Sequence, residues 1–102
     1  MNKLWEAIDV INERGWARHT MRSPDGRVCL IGALRTAHGY NPSDGALRNE
    51  GAYGADRDIV LGIISSEYGT KEPTDFNDDI AKSKEDVIRV LEKAAIMKDE
   101  LV

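Results

Sequence analysis

The sequence predicts a mainly α-helical fold, a single small domain over residues 1–102 built as a bundle of about four helices with room for one short β-hairpin. Three observations point there. Apolar residues recur at helical spacing in four separate stretches, glycines stand just beyond three of those stretches at Gly15, Gly39 and Gly69, and Ser23-Pro24-Asp25-Gly26 has the residue order of a type I turn.

Asn2 is placed to cap a first helix, after which Leu4, Ile8 and Ile11 share one face, widened by Trp5 and Ala7. Gly15 ends it, and Trp16 follows the stop, where a large apolar side chain can fold back over the last helical turn. The segments flanking the turn, Arg18 to Arg22 and Arg27 to Cys29, are placed to pair as a short hairpin. Leu30, Ala33, Leu34 and Ala37 form the next stripe, closed by Gly39. Gly32 inside it costs about 1 kcal/mol relative to alanine, which suits a close packing contact.

Between Gly39 and Gly54, four glycines with Asn41-Pro42 and Ser43-Asp44 mark a long connection with one helical turn around Ala46 to Asn49. Asp56 then reads as the cap of a third helix, with Ile59, Val60, Ile63 and Ile64 facing inward and Gly69 as its stop. The β-branched density of that stretch also fits a buried strand. After Pro73 and a polar loop, Ser83 with Asp86 three residues on has the capping-box pattern. It opens a last helix carrying Val87, Leu91 and Ala94 on one face.

Composition bounds the function classes. With 102 residues, 41% hydrophobic and 31% charged, the chain suits one soluble core and leaves no room for a separate cofactor domain. Its longest apolar stretches fall far below the ~20 residues a bilayer needs, and Glu6 and Asp9 interrupt any signal-peptide core, so the cytoplasm is the expected location. The single cysteine, Cys29, forbids an intrachain disulfide and agrees with a reducing compartment.

The net charge of −4 is unevenly spread. Residues 14–48 carry six arginines against two aspartates, whereas residues 49–102 carry seven bases against thirteen acids. An arginine-only basic segment inside an acidic chain suggests either internal charge-complementary packing or a face for an acidic partner. Arg14, Trp16, Arg18, Arg22 and Arg27 are the candidate contact residues, because arginine and tryptophan are common interface anchors. The same patch could clamp phosphates while the indole stacks on a base. However, the sequence pI near 5.1 and Pro24, which would break a recognition helix begun at Ala17, weigh against a dedicated nucleic-acid binder.

Cys29 falls where a turn meets a helix N-terminus, which favours a thiolate, with His19 or His38 as a base. Against a cysteine enzyme, Cys29 stands between Val28 and Leu30, the surroundings of a small buried hydrophobe, and spacing singles out no ordering Asn or Asp. A metal site from His19, Cys29 and His38 lacks a fourth ligand and any short paired spacing. Gly51-Ala52-Tyr53-Gly54 lacks the lysine and preceding strand of a phosphate loop and reads as a flexible loop. No cofactor is expected. In Phe76-Asn77-Asp78 the structural reading leads: Asn77 or Asp78 bonds nearby backbone in an Asx turn while Phe76 plugs the core.

Taken in order, Gly15-Trp16, Asp25-Gly26-Arg27-Val28-Cys29-Leu30, Gly32-Ala33-Leu34, Phe76-Asn77-Asp78 and the capped helix with Leu91-x-x-Ala94 give the chain its resemblance. From about Leu4 to Ala95 it resembles an uncharacterised family of small proteins found in actinobacteria and their bacteriophages. Phe76 stands where that pattern has tryptophan, which removes an indole N–H donor. The resemblance implies a small cytosolic α-rich protein of phage or accessory origin and adds no catalytic residue. The expected function is therefore a non-enzymatic interaction module. It binds a host or phage protein of acidic surface, with nucleic acid as the alternative and self-association left open.

Overall fold

The computed structural model describes residues 2–41 and 51–101. It is mainly helical: α1 (Lys3–Arg14), α2 (Leu30–Ala37), α3 (Gly51–Tyr68), the short α4 (Pro73–Asp75) and α5 (Lys84–Leu101). Between the last two lies a π-helical turn at Phe76–Ile80. α4 runs without a break into that turn, since Asp75 and Phe76 both keep right-handed helical backbone. The mainly helical fold is as expected, but the count of about four helices is not matched exactly: five form among the described residues, because the loop expected after Pro73 is helical as well.

The helix ends follow local chemistry. Asn2 Oδ1 accepts from the backbone N–H of Leu4 at 2.9 Å and of Trp5 at 3.4 Å. Gly15, Gly39 and Gly69 close α1, α2 and α3 with φ of +89°, +85° and +73°, a region that favours glycine. Asp86 accepts from the N–H of Lys82 at 2.9 Å, one residue before the expected capping partner Ser83.

α1 packs on α2 and α5, and α3 packs on α5. Leu4, Ile11, Leu30, Leu34, Val60, Ile64, Val87 and Leu91 fill the space between them with no exposed surface. Phe76 joins this core, its ring tilted against Tyr68 at 4.7 Å between centroids. The indole donor that tryptophan would bring to this position would therefore lie inside an apolar core.

Three expectations are corrected. α3 starts at Gly51, so Asp56 is no cap: it lies inside the helix and fully buried, and Tyr53 is buried at 2% exposure in what reads from sequence as a flexible loop. The expected hairpin does not form. Among the described residues there is no strand, only isolated bridges from Val28 to Trp16 and to Arg22. Val28 is shared between two segments, one on either side, and side chains of the π turn take backbone groups that a hairpin ladder would need. The helical turn expected at 46–49 lies outside the described residues.

Candidate functional site

Residues 15–29 carry most of the sequence-predicted contact groups, and this stretch is ordered without being regular. The Ser23-Pro24-Asp25-Gly26 turn forms as predicted: Gly26 N donates to Ser23 O at 2.9 Å, and Ser23 Oγ accepts from Arg27 N at 3.0 Å. Asp25 is held there by Ser23 Oγ and by Arg27 Nε at 3.0 Å, and these partners lower its carboxyl to about 2. Around Val28 the chain closes through Ala17 N to Val28 O at 2.9 Å and Val28 N to Gly15 O at 3.0 Å. The loop then lies against α2 at Gly32. A β-carbon there would sit 2.3 Å from Met21 O, so the suspected close contact is real, with a backbone carbonyl as neighbour.

Asn77, in the π turn some 60 residues further along the chain, fastens this loop. Its Oδ1 accepts from Trp16 Nε1 at 2.7 Å and from Leu30 N at 3.0 Å, while its Nδ2 donates to Ala17 O at 3.0 Å and to Asp78 Oδ1 at 2.8 Å. Two acceptances and two donations exhaust an amide side chain, and Asn77 is 1% exposed, so it has no capacity left for a ligand. The structural reading of the triplet is correct, but the bonds reach across the fold rather than to neighbouring backbone. His19, which takes a left-handed φ of 63°, is fixed by donating its backbone N–H to Asp78 Oδ1 at 2.7 Å.

The five predicted contact residues separate into two groups. Arg14 and Arg22 are exposed and line one shallow depression with Glu13, Pro24, Asp25 and Gly26; neither makes an ion pair among the described residues. Arg14 also sits in the last turn of α1, where the helix dipole favours a cation. The other three are used within the fold. Trp16 is half-buried and bonded to Asn77. Arg18 lies over the Trp16 ring at 4.8 Å and donates to Ala81 O at 2.6 Å, and Arg27 pairs with Asp25.

A cleft of about 160 Å³ opens beside the loop, bounded by His19, Thr20 and Met21 on one side and Pro73, Thr74 and Asp78 on the other. Cys29 and Ile31 also line it. Cys29 Sγ accepts from Gly32 N at 3.2 Å as the cap of α2, and burial pushes its thiol up from its ordinary value. A capping, desolvated thiol is a poor nucleophile, although the structure does bring it to one cleft with His19 and Asp78, a grouping that spacing did not reveal. His19 and His38 lie apart in the fold: His19 faces Asp78, and His38 faces Asp56. Among the described residues no cluster of three His, Cys, Asp or Glu side chains suits a metal ion. Gly51–Gly54 forms the first turn of α3 rather than a loop around phosphate.

A second polar cluster gave no sequence signal. Asp56 on α3 receives His38 Nε2 from the end of α2 at 2.7 Å and Lys98 Nζ from α5 at 2.5 Å, and the ring of Tyr53 stands edge-on to His38 at 5.9 Å. The carboxylate is completely buried, the His38 side chain is 7% exposed, and Lys98 keeps its head partly in water. Both carboxylate oxygens are thereby occupied, so the cluster ties three helices together. The one local hint was an aspartate inside an apolar run, which reads equally well as a cap.

The model of a family of unknown function, DUF6197, matches residues 2–96, and the chain belongs to that family. No curated protein and no solved structure matches it. Among the described residues no helix is long and apolar enough to cross a membrane.

Proposed function

We propose that the chain is a small non-enzymatic interaction module of the cytoplasm, of phage or accessory actinobacterial origin, that binds a partner protein through the ordered loop between α1 and α2. Arg14 and Arg22 are the contact residues, and the partner presents acidic groups to them. The observation that carries this reading is the contrast between those two arginines and the rest. Both stand exposed on one depression without an ion pair among the described residues, Arg14 on the last turn of α1 and Arg22 on a loop whose backbone Asn77 and the Ser23 turn hold in place. Fixing a surface loop before contact removes part of the ordering cost of binding. Trp16, Arg18 and Arg27 act as supports that set the loop's shape.

Two points favour protein over nucleic acid. The indole is half-buried and Arg18 takes one of its ring faces, which leaves less of it for a base to stack on. Glu13 and Asp25 line the same depression as the two arginines, so the face alternates in sign, which suits discrete acidic side chains placed opposite the arginines better than a uniformly negative phosphate backbone. A non-enzymatic role is supported by the capping, desolvated state of Cys29, and a lone buried thiol suits a reducing compartment. The test is capture from nuclease-treated actinobacterial lysate with the wild type and the Arg14→Glu/Arg22→Glu variant. A stoichiometric protein retained by the first and lost by the second supports the reading, and equal retention by both refutes it.

A further inference from the structure

The cleft between residues 19–21 and 73–78 is a site of its own, and its reading stands whether or not the arginine face binds a protein. Its chemistry is set by Asp78. Oδ1 of that carboxylate is occupied twice, by His19 N at 2.7 Å and Asn77 Nδ2 at 2.8 Å, which fixes the group's orientation. Oδ2 has no hydrogen bond among the described residues and lies 3.6 Å from His19 Nδ1, on a side chain that is 70% exposed. The Asp78 side chain is 19% exposed, so one oriented carboxylate oxygen is presented at the edge of the cleft.

The other walls are mostly apolar: Met21, Ile31, Pro73 and the neutral thiol of Cys29. No lysine or arginine lines the cleft. Residues 72–79 hold Glu72, Asp75 and Asp79 beside Asp78 in sequence, while Arg35 Nη1 donates to Met21 Sδ at 3.1 Å. An anion would face the Asp78 carboxylate here. A wholly apolar group would leave Asp78 Oδ2 without a donor. At about 160 Å³ the cleft takes a small group and lies well below the size of a pocket for a drug-sized ligand.

We propose that this cleft binds a primary alkylammonium group, a short unbranched apolar stem ending in a positively charged nitrogen that donates to Asp78 Oδ2. Butylammonium is the simple probe of that chemistry. The same group ends a lysine side chain, so either a free amine or a lysine presented by a polypeptide fits the site.

The test is an NMR titration of the full ¹⁵N-labelled chain at constant ionic strength with n-butylamine hydrochloride, n-butanol and N-acetyl-lysine methylamide. Butylammonium is expected to give saturable shifts of the His19, Thr20, Met21, Thr74 and Asp78 amides, and butanol to bind at least about tenfold more weakly for want of the charged hydrogen bond. Asp78→Asn should lose binding to a similar extent. Because that change also touches the His19 contact, Thr74→Trp, at an exposed position on the cleft wall, supplies a second variant that fills the space without disturbing the loop. Saturation by the lysine amide at lower concentration than by butylamine assigns the site to a polypeptide lysine, and the reverse order to a free amine. Equal shifts with butanol, shifts that never saturate, or butylammonium binding retained in Thr74→Trp would overturn the proposal.

Discussion

Trp16 and Asn77 stand 61 positions apart in the chain, yet the indole Nε1 donates to the Asn77 amide oxygen at 2.7 Å. That bond, with the two from Asn77 to Leu30 and Ala17, joins the loop, the start of α2 and the π turn at one buried side chain. Asn77→Ala would leave the Leu30 N–H and the Ala17 carbonyl without their buried partner. We expect it to cost about 3 kcal/mol, read as a lower urea midpoint with unchanged slope. A loss below about 0.5 kcal/mol would mean that water replaces the side chain without cost.

Gly32 and Gly62 both lie inside helices and should respond oppositely to alanine. At Gly32 the new β-carbon meets the Met21 carbonyl at 2.3 Å, whereas at Gly62 nothing lies within 4 Å. Gly62→Ala should raise stability by about 0.5–1 kcal/mol through helix propensity alone. Gly32→Ala should lower it by about 1–3 kcal/mol, because backbone must shift. Thermal unfolding of the two variants side by side checks both signs.

Asp56 is the buried carboxylate that His38 and Lys98 share. Asp56→Ala strands both partners, and a loss of about 3 kcal/mol is expected in urea unfolding. Lys98→Met keeps the apolar stem and leaves His38 in place on Asp56, so it should cost less. Equal costs for the two variants would contradict the view that the carboxylate is the shared centre.

The turn at Ser23–Gly26 makes a prediction about acid. Asp25 titrates at about 2 in the folded chain against an ordinary 3.8, lowered by Ser23 and Arg27, so its contribution is present above 3.8 and is lost as pH falls through about 2. Asp25→Asn should therefore show a smaller fall in melting temperature over that interval than the wild type. An unchanged fall would assign acid sensitivity to other carboxylates, such as Asp99, which the Trp5 indole and Asn2 hold below its usual range.

Cys29 should alkylate slowly at neutral pH in the folded protein, since burial raises its thiol and the sulfur caps α2. Rapid labelling of the native chain, at the rate seen in denaturant, would reopen cysteine chemistry.

Much of the fold was legible because its signals are local. Asn2, the glycine stops, the Ser-Pro-Asp-Gly turn and the apolar stripes each act within four or five residues. The start of α3 was misread because an aspartate after a glycine-rich stretch looks like a cap, and only the packing of α2 and α5 around Asp56 shows otherwise. The hairpin failed for a related reason. Asn77 and Asp78 compete for the backbone of the 17–19 segment from about 60 residues away, a reach no spacing rule covers. The five contact candidates were a cluster in sequence, and whether an arginine points to solvent or braces a neighbouring ring depends on tertiary geometry alone.

The central claim is that Arg14 and Arg22, and not Arg18, meet the partner. Its most direct test is parallel capture from nuclease-treated lysate at moderate salt with three baits of verified fold: wild type, Arg14→Glu/Arg22→Glu, and Arg18→Gln. The account predicts one stoichiometric protein on the wild type and on Arg18→Gln that disappears from the double variant. Undiminished capture by Arg14→Glu/Arg22→Glu would contradict it.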